Sequence, residues 1–201
     1  MEAFKMNRLG TGLLVMALFV FVLLPCGAMG SLWTGDVNLK AGFKALDEDD
    51  WDPLEDQDEI GVDVDFRMDD WPISVTLGLY GSAEKKEMSG NDVEGKTGEF
   101  RIGVRKIWTT DSNMRPFIGG GLVFMTAEIE GVNSYLTPII IQISDDDRGT
   151  GLWISGGVFW TLQEHLNIGF ELAVSAAEVT LFNEERRAGG AHAALLIGYH
   201  W

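Results

Sequence analysis

Chemistry in this chain would have to come from its charged residues and three histidines, because Cys26 is the only thiol. Ten titratable side chains sit at alternate positions within otherwise apolar runs: Lys40, Lys44, Asp63, Asp65, Arg67, Glu99, Arg101, Arg105, Glu171 and His192. That spacing places them on one face of β-strands. If this face is shared and turned inward, opposite charges should pair, since a desolvated charge without a partner is costly. Two readings follow: a structural salt-bridge plug, or the wall of a narrow water-filled path. His192 and His200 share a face but are eight residues apart, roughly 26 Å at strand rise, too far to ligate one metal. Segment 46–59 carries nine acidic residues and no basic one. The carboxylates of the acidic loop 47–59 within it could collect Ca²⁺ or Mg²⁺. The EF-hand spacing fails, however, because Ile60 and Arg67 occupy the fifth and twelfth positions counted from Asp56. A solvated loop is the plainer reading, with Trp51 and Leu54 predicting that it folds back on a rim.

The elements that must position these groups are strands. Residues 190–201 read G-A-H-A-A-L-L-I-G-Y-H-W, with Ala191, Ala193, Leu195, Ile197, Tyr199 and Trp201 on one face. A last strand with a bare apolar face leaves an unprotected sheet edge unless it closes against the first strand. Closure lets the apolar face meet lipid, where every backbone polar group must be satisfied within the sheet. The same alternation begins near Trp33, Ile60, Ile73, Glu99, Pro116, Leu152 and Ile168, giving about eight strands of the length a tilted crossing requires. The run 116–124 fits either facing. Segment 135–143 is β-prone and reads as an extra strand or as a loop pairing above the membrane. The expected class is all-β: an antiparallel up-and-down transmembrane barrel with three short turns at one end and four longer loops at the other.

Lys5 and Arg8 precede an apolar stretch at 13–24, then Pro25-Cys26-Gly27-Ala28-Met29-Gly30. This is a secretory-leader layout, so residues 1–30 are expected to be removed and 31–201 to form one barrel domain. The loss takes Glu2, Lys5, Arg8 and Cys26, leaving 13 basic and 30 acidic residues and a net charge of −17. So acidic a chain is a poor nucleic-acid partner. Mean hydropathy is only +0.06, as expected when lipid-facing and inward residues alternate. Trp33, Trp71, Trp108, Trp160 and Trp201 all fall at the short-turn ends of the expected strands, an interfacial girdle from five of seven tryptophans.

The ending Gly198-Tyr199-His200-Trp201 resembles the assembly signal of Gram-negative outer-membrane barrels. Residues 99–106 and 115–122, E-F-R-I-G-V-R-K and R-P-F-I-G-G-G-L, resemble the fourth and fifth strands of small barrels of the OmpA and OmpX type. Trp replaces the family's usual terminal Phe, and no peptidoglycan-binding domain follows. The resemblance implies residence in the cell outer membrane, contact with its lipid and lipopolysaccharide, and delivery by the barrel assembly machinery through the terminal strand, with Gly198, Tyr199 and Trp201 as the signal. It implies no cofactor, and it specifies architecture far better than activity. The expected role is structural or surface-interacting through acidic outer loops, with a narrow solute channel as the alternative. A lipid A-modifying enzyme is weaker still. Deacylases of this kind carry His-x-Ser, whereas Asn167 and Ala194 stand two residues after His165 and His192; the palmitoyl transferases need an outer-loop histidine, and the expected loops hold none. No catalytic or metal-binding residue is therefore assigned.

Overall fold

In a computed structural model, residues 33–88, 91–110, 112–133 and 141–201 are described. The expected leader at 1–30 lies outside them. Eight long strands form a closed antiparallel barrel: β1 Trp33–Ala45, β2 Asp56–Met68, β3 Ser74–Met88, β4 Asn91–Ile107, β5 Met114–Asn133, β6 Ile141–Leu162, β7 Leu166–Ala176 and β10 Ala191–His200. A short helix, α1 (Glu48–Trp51), lies between β1 and β2, and a two-stranded hairpin, β8 (Glu178–Leu181) with β9 (Glu184–Arg187), lies between β7 and β10. No helix among the described residues is long and apolar enough to cross a membrane.

Closure is made by the first and last strands, in a register running from Asp36 opposite His200 to Ala45 opposite Ala191. Leu39, Phe43, Ile60, Phe170, Leu172 and Leu195 all face outward and exposed, Leu195 by 72%. In water so broad an apolar belt would be a liability; against hydrocarbon it is the required surface. Trp33, Trp71, Trp108 and Trp160 are exposed and Trp201 half-buried, whereas Trp51 and Trp153 are buried inside. Lys106 breaks the outward face of β4, and its ammonium reaches the Pro72 carbonyl at 2.6 Å, a snorkelling geometry at the short-turn rim.

The long-loop side departs from expectation. Residues 82–88 and 91–98 are strand rather than loop, with β3 and β4 paired from Ser74–Arg105 out to Met88–Asn91. The β5–β6 ladder likewise extends from Met114–Trp160 to Asn133–Ile141. Of the β-prone segment 135–143, residues 141–143 belong to β6 and the rest lie outside the described residues. The outer ends of these strands carry charges such as Lys85, Lys86, Asp92 and Glu94, and their backbone groups still gain by pairing. The β8–β9 connection is a two-residue turn in which Phe182 and Asn183 both adopt positive φ, the twist that such connections favour, and Gln163 and Glu164 do the same in the three-residue β6–β7 turn.

The facing of β5 is settled by its neighbours. Phe117, Val123 and Met125 turn inward, and Ile118, Leu122 and Phe124 outward. Gly119 then stands inside between Arg105 and Ser155, where an added Cβ would approach the Trp153 ring to 3.2 Å.

Candidate functional site

The inward face of an eight-stranded barrel is just wide enough for side chains to fill it. Here they do so in three stacked tiers. At the short-turn end, Arg115 grips Asp36 with Nη1 and Nη2, at 2.9 and 3.0 Å. The Asn167 amide donates to the same carboxylate at 2.7 Å, and His200 Nδ1 lies 2.9 Å from it. In the middle, Lys40 contacts Asp63 at 2.5 Å and Glu171 at 2.8 Å. Arg105 contacts Asp63 at 3.0 Å, Asp65 at 2.6 Å and Glu171 at 2.8 Å. Thr76 donates to Asp65, and Asn38 to Asp63. At the long-loop end, Glu99 receives Lys44 at 2.8 Å and Arg101 at 2.6 Å. His192 is held between Glu59 and the Arg101 guanidinium, which itself lies 4.3 Å from the centroid of the Tyr80 ring.

Nine of the ten residues singled out by spacing therefore meet inside, each no more than 5% exposed. Arg67 is the exception. It lies near the end of β2, is half-buried, and donates to the Trp71 carbonyl at 3.1 Å across the turn. One strand step beyond Asp65 the barrel ends, so this guanidinium meets the rim rather than the network.

Spacing alone also missed several members. Asp36 and Asn38 lie on the polar face of β1 with Lys40 and Lys44, and Arg115 reaches in beside them from the start of β5. Glu59 was counted with the acidic loop, although β2 starts at Asp56 and carries Glu59 inside. Ser175 lacks charge and so gave no signal; only the register, which brings β7 beside β10, places it 2.9 Å from His192.

Above the tiers the acidic segment folds back. Trp51 and Leu46 enter an apolar cluster with Val123, Met125, Trp153 and Leu181. The indole Nε1–H of Trp51 donates to the Arg187 carbonyl at 2.8 Å. Asp50 accepts from the Arg187 backbone N–H at 2.9 Å and from its guanidinium at 3.2 Å; Asp47 lies 2.9 Å from that guanidinium. Arg186 donates to the Asp50 carbonyl. The backbone N–H of Arg187, and then its guanidinium, hold the Asp50 carboxyl below the usual carboxylate range. Residues 46–55 are thus a cap clasped to the β8–β9 hairpin, and the rest of the acidic segment is the start of β2. Among the described residues no group of three or more His, Cys, Asp or Glu is arranged to hold a metal ion.

No protein-family model and no curated protein matches the sequence. Solved structures do match the fold. Neisserial surface protein A aligns with a TM-score of 0.58 at 10% identity, over 84% of this chain and 97% of that one. Ail, the attachment invasion locus protein of Yersinia pestis, aligns at 0.56 and 12% identity over the same shares. A major outer membrane protein from Thermus thermophilus aligns at 0.58 and 10% identity, over 84% of this chain and 99% of that one. The fold is that of the small outer-membrane β-barrels. At these identities the likeness extends to architecture alone, and a barrel of this kind can carry many functions.

Proposed function

We propose that this protein is an integral barrel of the Gram-negative outer membrane whose lumen is a sealed scaffold and whose extended outer strands and cap are its working surface. The observation that carries the reading is the three-tier network: the charged side chains stacked from Asp36 to Glu59 are buried and ion-paired, with the cap closed above them. A narrow channel would need the same residues solvated. Refolded protein in a planar bilayer is expected to give no conductance steps above background; reproducible unitary steps would restore the channel reading.

The outer surface is acidic. Glu84 and Glu87 on β3, Asp92 and Glu94 on β4, Glu128 and Glu130 on β5, and Asp145 and Asp146 on β6 belong to the strand extensions. The Ail structure holds a heparin analogue, sucrose octasulfate. Such a polyanion has the wrong charge for this rim, which favours a cationic partner. Divalent cations shared with lipopolysaccharide phosphates would be a weaker use of the same carboxylates. In keeping with this reading, the strand ending in Gly198, Tyr199 and Trp201 serves as the contact for the barrel assembly machinery.

A further inference from the structure

On the lipid-facing wall the register sets small side chains between large ones. Phe43 of β1, Ala193 of β10 and Leu172 of β7 lie side by side, and the next row toward the long loops reads Ala45, Ala191 and Val174. Two strand spacings, about 10 Å, separate Phe43 from Leu172, which leaves room for one hydrocarbon chain over the alanines. A hollow of about 420 Å³ results, with Phe43, Leu172 and the three alanines as its apolar lining. Ala45 also lines a second hollow, of about 630 Å³, which reaches the cap; Val174 and Ala176 line it from the lipid side, Leu46 and Ala177 from the inner side.

Both hollows are acidic at the long-loop end. Asp56 and Asp58 border the smaller, Asp47 and Glu178 the larger, and among the described residues Arg187 is the one Lys or Arg in either lining. Its guanidinium is already shared by Asp47 and Asp50. Asp56, Asp58 and Glu178 are exposed and form no ion pair among the described residues. The opposite wall offers neither feature. There Ile102 and Leu122 stand directly across from each other, and above them Lys96 is paired with Glu94 and Glu130. Only over β1, β10 and β7 does an apolar groove end in uncompensated negative charge, which attracts a cationic head and repels an anionic one.

We propose that this wall groove seats a single-chain amphiphile with an ammonium head, the chain lying over Ala193 and Ala191 and the head among Asp56, Asp58 and Glu178. Lipid tails surround an apolar chain as favourably as the wall does, so the chain alone gives little preference and the head decides what is held. The inference rests on the reading of the outer surface as acidic with a cationic partner, and it names that partner's chemistry. It does not depend on a sealed lumen, so conductance and binding can fail separately.

The test uses the refolded full chain in phosphatidylcholine nanodiscs and two photoreactive probes. Both carry the same diazirine-bearing alkyl chain, one headed by trimethylammonium and the other by sulfate, and adducts are mapped by mass spectrometry. On the unaltered protein the ammonium probe is expected to label 43–45, 172–176 and 191–193 about 10-fold more than the reference wall at Ile102 and Leu122, and the sulfate probe to show no such preference. Glu178→Gln combined with Asp56→Asn and Asp58→Asn should give the ammonium probe the sulfate pattern. Ala193→Trp should block the seat of the chain, and both variants should keep the faster gel migration of an unboiled barrel. Equal labelling of the two walls by the ammonium probe overturns the proposal. So does an equal preference of both probes for the groove, which would mark it as a seat for any lipid tail.

Discussion

Arg105 is the residue on which the middle tier turns. Its guanidinium serves Asp63, Asp65 and Glu171 at once and lies 4.5 Å from the centroid of the Phe117 ring. Lys40 reaches only two of those carboxylates. Arg105→Leu is therefore expected to leave buried acids under-neutralised at a cost of about 3–5 kcal/mol. Urea unfolding in lipid vesicles, followed by tryptophan fluorescence, measures this. Arg67→Leu is the matched control: a rim guanidinium bonded to one carbonyl should matter by about 0.5 kcal/mol or less. Equal losses in the two variants would contradict the placement of the network.

At the scale of elements, the cap is the part with its own chemistry. It is fastened by apolar packing of Trp51 and by the Asp50–Arg187 clasp, which lies at the surface. Because the folded Asp50 carboxyl titrates below its unfolded value, the clasp contributes fully above about pH 4, the unfolded carboxylate range. That contribution is lost as pH falls through the lowered folded value. Cleavage of the 178–187 hairpin by an acid-tolerant protease should accordingly accelerate below pH 4. Arg187→Ala should accelerate cleavage at neutral pH and flatten the step. Asp147, which accepts the Thr180 N–H at 2.6 Å, ties the same hairpin to β6 and shifts in the same direction. A pH-independent cleavage rate would show that the apolar contacts alone hold the cap.

For the whole molecule, lipid and lumen set opposite requirements on successive residues of every strand. Leu195 lies on the terminal strand with its side chain in the exposed belt, whereas its neighbour Leu196 packs inside with Phe117 and Phe159. Leu195→Arg is expected to cost about 2–4 kcal/mol if the site lies near mid-membrane, read from unfolding in vesicles. A cost near zero would place Leu195 outside the hydrocarbon. Closure itself joins residues more than 150 apart in sequence, such as Asp36 and His200, so the barrel forms from contacts between its two ends as well as between neighbours.

Period-two alternation was enough to specify strands, their number and the inward position of nine charged residues, because a lipid-facing charge is too costly to permit the opposite facing. The same spacing puts five of the seven tryptophans at the short-turn ends of the strands, whereas Trp51 and Trp153 are buried. Alternation within a strand carries no register between strands. Only tertiary structure could therefore decide which charges pair, that Arg67 stops at the rim, and that the Gly-rich β5 turns Phe117 and Met125 inward. The same limit concealed Ser175: its neighbour His192 is seventeen residues away in sequence, and the two are brought together by the pairing of β7 with β10.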